Sequence, residues 1–520
     1  MPGRLRARPF GWILLICALA SVAVLGIARL SSGPPSTHPL LPTGPEPVSL
    51  TAPPPTLDDL RASLAGSSLV ICVIDAARVD HIGCYGYPRE TTPNIDRLGA
   101  DSVVFEQHFC QYPDTAPSTA SLLTSLYPDT HLTTAGGGLS RSVFTLAKGL
   151  KSAGFHTAFF SSNYRGSGLT GIGRDFELTR AFGPSWDGRG RGRRAGLPDD
   201  APESRPAQLK VRSPEGLLTL IADWLNEGLS EPFLAYIHFL PPHLPYDAPD
   251  EMKRVFAGKH PPNFWRGGYA FRGIKPRKVT SEHASPGPRL VNLYDANLLW
   301  ADWAVGELER LLREADVFDN TLVIVTADHG ETFGEHGYKW HPDCPYDEAI
   351  RIPLLVRFPG EARPVGRVRA LSQTIDLLPT ILDLYQIPYP EDQVQGRSLL
   401  PLLTGEVEEV NEYIFCRAGG QPPAYIVHDL CFALLLYQGG KLRALYDLET
   451  DPWQTRNVIE EQPERAAELI QAFRQFAMTQ RRPPLDFLDP DAKVGPLPTV
   501  PEVELSDEAR RELEAIGYLE

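Results

Sequence analysis

Cysteine is scarce in this 520-residue chain. The seven present (Cys17, Cys72, Cys84, Cys110, Cys344, Cys416, Cys431) are scattered, and none forms a Cys-x-x-Cys pair. That excludes a thiolate zinc ribbon and a disulfide-stapled scaffold. Buried or free thiols are expected, with one disulfide compatible with export. Net positive charge is also missing: the balance is -15. A chain without a basic footprint is not a general nucleic-acid binder, although a local basic site remains open. No repeat at solenoid spacing is present. What remains is an ordinary globular composition, 42% hydrophobic and 22% charged, long enough for one large core and a smaller appendage.

The N-terminus departs from that average. Arg4, Arg6 and Arg8 precede an uncharged run of 19 residues, from Phe10 to Ala28. This is close to the ~20 residues that cross a bilayer as a helix and longer than the apolar run of a usual signal peptide. We read a cytoplasmic basic segment at 1–9 and a single transmembrane anchor at 10–28, with the rest exported. The expected location is the cell membrane, with the catalytic part periplasmic or extracellular. Nine prolines between residues 31 and 55 favour extended, polyproline-like chain. Residues 29–56 therefore read as a spacer without regular structure.

From about residue 57, short apolar runs alternate with helical patterns. Residues 68–75 (SLVICVID), 156–161, 232–240, 321–328 and 352–358 have the character of buried strands. Residues 142–153, 214–229, 290–312 and 373–385 have helical periodicity. This alternation predicts an α/β sandwich around a mainly parallel central sheet, spanning 57–404. Residues 185–206 and 253–289 read as insertions; the second, with Phe264, Trp265, Tyr269 and Phe271 among its Lys and Arg, could wall an anionic substrate. Beyond residue 405 the pattern becomes short strands (413–416, 425–427, 432–437) and a helix at 463–478. That predicts a small α+β C-terminal subdomain within 405–520, with a further helical pattern at 506–518.

Ligands in open α/β sheets sit outside the carboxyl ends of strands. Asp75 ends the first strand, His238 and His243 lie at the end of the third, and Asp328-His329-Gly330-Glu331 ends the fourth. Asp75, Asp328 and His329 suit one divalent ion. Carboxylates with an imidazole favour Zn or Mn, whereas an all-oxygen set would suit Ca or Mg. The run 113–128 (PDTAPSTASLLTSLYP) crowds hydroxyls at a helix start, where backbone N–H groups can meet an anion or simply be capped.

Several motifs together resemble the sulfatase family of the alkaline phosphatase superfamily. They begin with Asp75-x-x-Arg78-x-Asp80-His81-x-x-x-Tyr85-Gly86 and Thr92-Pro93-Asn94-Ile95-Asp96-Arg97-Leu98. Later come Pro242-His243-x-Pro245-Tyr246, Thr326-Ala327-Asp328-His329-Gly330-Glu331, Gly334-Glu335-His336-Gly337 and Tyr346-Asp347-Glu348-Ala349-x-Arg351-Ile352-Pro353. Asp376-Leu377-Leu378-Pro379-Thr380, Gly396-Arg397-Ser398-Leu399 and Leu445-Tyr446-Asp447-Leu448 continue the match. The resemblance implies an alkaline-phosphatase-like sandwich and a metal-dependent ester hydrolase or transferase. Sulfatases carry Cys-x-Pro-Ser-Arg, or a Ser variant, whose first residue becomes formylglycine. Here the run is Thr115-Ala116-Pro117-Ser118-Thr119, and Cys110 lies five residues too early. Phosphoethanolamine transferases and lipoteichoic acid synthases use a threonine instead. By that likeness Thr115 is the expected nucleophile, and Asp75, Thr115, Asp328 and His329 are the expected metal ligands. His243 would protonate the leaving oxygen, Lys339 or His341 would stabilise the transferred group, and Arg78 would either face the substrate anion or be structural. The implied partner is an anionic ester, lipid- or glycan-linked. The alternatives are a true sulfuric ester hydrolase working without formylglycine, and an inactive membrane-anchored binding protein.

Overall fold

The seven residues Ser68–Ile74 alternate with nothing: every one is buried. A run of this kind must be covered on both faces, which is the situation of a central parallel strand. The computed structural model describes residues 48–50, 54–134, 138–166, 170–181, 184–186, 192–194, 211–227, 230–259, 261, 288–338, 341–360, 363–420, 422–440 and 443–488. The chain divides into units 1–41 and 42–520, and the first lies outside these residues. So do the predicted basic segment, the anchor at 10–28 and the tail helix at 506–518. Among the described residues no helix is long and apolar enough to cross a membrane.

Fifteen strands are described. In chain order they are β1 (Val48–Leu50), β2 (Ser68–Ile74), β3 (Val103–Phe109), β4 (His156–Ser161), β5 (Leu178–Ala181), β6 (Pro184–Trp186), β7 (Gly192–Arg194) and β8 (Phe233–Phe239). There follow β9 (Thr321–Ala327), β10 (Leu354–Arg357), β11 (Gly366–Gln373), β12 (Ile414–Gly420), β13 (Pro423–His428), β14 (Phe432–Tyr437) and β15 (Arg443–Asp447). The main sheet has nine strands in the order β1-β11-β3-β10-β9-β2-β8-β4-β5. All but β1 and β10 run in one direction. The mainly parallel sheet is therefore as expected. β2, β8 and β9 lie side by side in register at Ile74, Phe239 and Ala327, so the residues that follow them emerge at one edge.

The linker expectation needs one correction. Residues 48–50, inside the stretch read as structureless, pair antiparallel with β11 at the sheet edge. Gly366 permits it: a Cβ there would lie 2.1 Å from the Ser49 carbonyl oxygen. The helix expected at 373–385 is shorter, Leu377–Leu384, because Gln373 ends β11 and residues Thr374–Asp376 form a 3-10 turn.

The C-terminal part is a four-stranded antiparallel sheet, β12-β13-β14-β15, covered by helix Pro463–Thr479 through Leu469, Phe473 and Phe476. It is tied to the rest by Asp376, fully buried, whose carboxylate accepts from Gln373 N and Arg397 N and from Asn411 Nδ2, all at 2.8 Å. Removing that acceptor strands three donors, at ~1–3 kcal/mol for each left unsatisfied. Asp376→Ala is expected to lower the denaturation midpoint by the equivalent of about 3 kcal/mol. Burial pushes the Asp376 pKa up to about 7, against the lowering effect of its donors, from an ordinary 3.8. The native chain then holds a proton that the unfolded chain has lost. This group's contribution to stability is full below about pH 4 and declines as pH rises to about 7. The alanine variant should lack that component in a stability-against-pH profile.

Candidate active site

Asp75, Asp328 and His238 come from the adjoining carboxyl ends of β2, β9 and β8, and all three are essentially buried. Ala76, just past β2, has a left-handed backbone (φ 59°), a costly state for a residue with a Cβ. That turn aims its N–H at Asp328 Oδ1, 3.2 Å away, and the same oxygen accepts from His329 N at 2.9 Å. At the end of β9 Gly330 must be glycine, since a Cβ would lie 2.1 Å from the Glu348 carbonyl oxygen.

Asp75 Oδ2 accepts from Asn163 Nδ2, but one oxygen of each carboxylate has no hydrogen-bond partner. Asp75 Oδ1, Asp328 Oδ2 and His238 Nε2 are all buried and unsatisfied. His238 Nε2 lies 3.5 Å from Asp75 Oδ2 and 3.6 Å from Asp328 Oδ2. His329 Nε2 lies 3.6 Å from Asp75 Oδ1 and 3.5 Å from Asp328 Oδ2. Its other nitrogen, Nδ1, donates to the Gly330 carbonyl at 2.7 Å, so Nε2 is directed inward. A tetrahedral ion with bonds near 2.1 Å separates its ligand atoms by about 3.4 Å. Two buried acids with orphaned oxygens and inward imidazole nitrogens thus fit a divalent cation; without one they would be an expensive arrangement. The buried Asp75-His238-Asp328 group could bind a metal.

The charges respond to this crowding. Burial pushes the Asp75 carboxyl up, but His243, His238 and His329 together bring it well below the usual range. Burial lowers His329, and the Asp328 and Asp75 carboxylates with the Gly330 carbonyl outweigh it, raising its pKa to about 9.

Thr115 opens helix Thr115–Thr124, and its hydroxyl lies 3.4 Å from His329 Nε2. Helix start and strand ends are locked together by Ser118, whose hydroxyl donates to the Asp328 carbonyl. Gly166 passes close overhead: a Cβ there would come within 3.2 Å of His238 Nδ1 and 3.3 Å of Thr115 Cγ2. The two outer histidines form a column with His329. His341 stacks on it at 4.2 Å between ring centroids, and His243 meets His341 edge-on at 5.2 Å. Glu331 Oε1 lies 3.2 Å from His341 Nδ1. Burial, reinforced by the neighbouring His329, holds His341 below its ordinary pKa. His243 Nδ1 donates to the Leu244 carbonyl at 2.8 Å.

Of the residues singled out in the sequence, Asp75, Thr115, Asp328, His329, His341 and His243 are brought together. Lys339 lies outside the described residues. Arg78 is held by other residues. Its buried guanidinium is held bidentately by Asp80 at 2.8 and 2.6 Å, reaches Glu335 and the Glu331 carbonyl, and lies over the Phe333 ring. Those partners hold the loop after β2 to the loop after β9. Cys110 is buried beside the Ala349 carbonyl, 4.0 Å away. Three nearby residues were not in the predicted ligand and catalytic set. His238 was recognised only as a strand-end histidine. Asn163 and Arg165 follow β4, whose polar exit residues carry no charge until Arg165. Arg165 Nη1 is 3.4 Å from Asp114 Oδ2, one residue before Thr115.

Comparison with known proteins decides the family. A model described as Sulfatase matches residues 67–387, well over half of the chain. The chain belongs to the sulfatase family. A second model, described as N-sulphoglucosamine sulphohydrolase, C-terminal, matches residues 334–481 of the chain. Human arylsulfatase A is 26% identical over 487 residues, covering 82% of this chain and 89% of its own. The ulvan-active sulfatase of Formosa agariphila is 25% identical over 411 residues, covering 75% and 77%. Among solved structures, phosphonate monoester hydrolase of Agrobacterium radiobacter superposes with a TM-score of 0.60 at 20% identity, covering 79% of this chain and 95% of its own. A structure solved with its substrate, D-glucosamine-2-N,6-O-disulfate, gives 0.64 at 18% identity, covering 79% and 98%. The two structures share the fold of this chain. Family membership makes the protein an ester hydrolase, with the alkaline-phosphatase-like sandwich and C-terminal subdomain expected of it.

Proposed function

We propose that this sulfatase-family protein is a metal-dependent hydrolase or transferase that cleaves phosphate or sulfate esters through a covalent ester on Thr115. The observation that carries this reading is the Thr115 hydroxyl, 3.4 Å from His329 Nε2, beside the orphaned oxygens of Asp75 and Asp328. Asp75, Asp328, His329 and the Thr115 hydroxyl, with His238 beside them, would hold one divalent ion. Two imidazoles among the donors favour Zn or Mn over Ca or Mg. When bound, the ion supplies the positive charge that lowers the pKa of the hydroxyl and makes it a competent nucleophile.

The chain's own residues do the rest. Thr115 Oγ, its proton released to solvent beforehand, bonds to phosphorus or sulfur as the bond to the departing alcohol oxygen breaks. His243, fixed through Nδ1 by the Leu244 carbonyl, gives that oxygen a proton from Nε2. Water or an acceptor alcohol then attacks the Thr115 ester, passing its proton back to His243, and the bond to Thr115 Oγ breaks with its electron pair returning to that oxygen. His341, oriented by Glu331, and Lys339 stabilise the transferred group. The substrate is an anionic ester, lipid- or glycan-linked. By the N-terminal pattern, the enzyme is anchored in the cell membrane through residues 10–28 with residues 57–404 catalytic and extracytoplasmic.

A second reading, sulfuric ester hydrolysis without formylglycine, is favoured by the likeness to human arylsulfatase A. One experiment tests the mechanism and separates the substrates. The protein is mixed with 4-nitrophenyl sulfate, phosphate, phenylphosphonate or phosphodiester, quenched in acid and weighed intact. A mass increase is expected that maps to the Thr115 peptide after proteolysis, and which of the separately mixed esters produce it identifies the transferred group. Turnover of every active ester with no adduct, under conditions that trap a burst, would contradict the reading.

A further inference from the structure

Asn163 is 1% exposed and held on every side. Its backbone N–H donates to Ser161 Oγ at 3.1 Å, and that hydroxyl donates back to the Asn163 carbonyl at 2.8 Å. Its side-chain oxygen accepts from Arg165 N at 2.9 Å. This leaves the Nδ2 amino group facing the site. One N–H meets the Thr115 hydroxyl oxygen at 3.1 Å and the other meets Asp75 Oδ2. A buried amide whose orientation is set by a backbone donor cannot turn away at low cost.

We propose that Asn163 is a catalytic residue whose Nδ2–H stabilises the Thr115 oxygen as it leaves the covalent ester. The inference rests on the Thr115 reading above. The two half-reactions load this oxygen in opposite directions. In the first, it uses an electron pair to form the new ester bond, so its negative charge declines and a donor aimed at it gives no advantage to the transition state. In the second, the bond from Thr115 Oγ to phosphorus or sulfur breaks and the electron pair returns to Oγ. A fixed N–H at 3.1 Å then meets a growing charge in a dry setting, where such donors have their largest effect. Asn163 therefore acts on breakdown of the intermediate more than on its formation.

The test uses the full-length, metal-loaded protein and a 4-nitrophenyl ester that the wild type turns over. Asn163→Ala is expected to lower kcat about 10²-fold, as loss of one oxyanion donor does. It should change kcat/KM by less than about tenfold, so that KM falls with kcat. Rapid mixing should show a burst near one 4-nitrophenolate per site, and most of the protein should carry the Thr115 adduct at steady state. Metal per protein, measured by elemental analysis, should be unchanged. Equal losses in kcat and kcat/KM without adduct would overturn the proposal, leaving Asn163 only a support for Asp75. Wild-type kinetics would overturn it as well. If the alanine variant loses metal or folds poorly, Asn163→Ser keeps one O–H donor and should shift the same ratio by a smaller factor; an unshifted ratio overturns the proposal. Thr115→Ala separates the two layers. If that variant still turns over, the nucleophile reading and this one fall together. If it is inactive while Asn163→Ala partitions as wild type does, only the role of Asn163 falls.

Discussion

Thr115→Ala is expected to lose turnover by at least about 10⁴-fold on every ester the wild type cleaves, the scale on which removal of a nucleophile acts. Neighbouring hydroxyls cannot replace it. Ser118 donates to the Asp328 carbonyl, and Ser121 lies 3.1 Å from His131 Nε2 deeper in the helix. The fold should tolerate the change. Thr115 is 2% exposed but its hydroxyl contacts only site residues, and a Thr to Ala loss at a helix start without a capping role stays within ~1–2 kcal/mol. Thermal unfolding of the variant should therefore remain cooperative near the wild-type midpoint. Thr115→Ser keeps the oxygen and loses the methyl that packs beneath Gly166. It should retain activity within about a hundredfold, because the hydroxyl can rotate from its productive position. Unchanged turnover in the alanine variant would remove the nucleophile assignment altogether.

The parts of the site that were legible in the sequence are those where charge stands directly after an apolar strand. Asp75 follows a fully buried run, and Asp328-His329 follows another; parallel neighbours in the sheet bring such ends together. Asn163 was not legible, because an amide after Phe159-Phe160-Ser161-Ser162 has no charge to mark it and its role depends on Thr115 lying 48 positions away. His238 falls inside β8, where an inward histidine resembles any half-buried polar residue. β3 was missed because Glu106 and Gln107 interrupt its apolar run; they are half-buried, while the residues around them are buried. β1 could not be read from its neighbours, since its pairing with β11 is wholly non-local and its surroundings are rich in proline. The cage around Arg78 was not legible, because Glu335 closes it on Asp80 from a distant loop. The topology therefore follows from strands buried on both faces. The amphipathic edge strands, and the neutral donors around the nucleophile, appear only in three dimensions.

Removal of the divalent ion is the other large effect expected. Chelation should abolish activity and lower the unfolding midpoint, since buried Asp75 and Asp328 would then face each other across unsatisfied oxygens; readdition of Zn or Mn should restore both. Affinity should depend on pH with a definite sign. The free protein holds His329 protonated up to about pH 9, because the Asp328 and Asp75 carboxylates overcome its burial. An ion bound at Nε2 must release that proton. Apparent affinity should thus rise about tenfold per pH unit across the neutral range and level off near pH 9. Asp328→Asn tests the cause. It preserves the acceptor for Ala76 N and His329 N while removing one ligand charge. Affinity should fall by more than about 100-fold, beyond what loss of an outer-shell partner costs. With one carboxylate fewer, His329 should also give up its proton at lower pH, so the plateau should begin earlier than in the wild type. Competition with a chromogenic chelator at several pH values reads both quantities. Affinity that is flat with pH in the wild type, or a wild-type plateau in Asp328→Asn, would show that His329 does not take part in holding the ion.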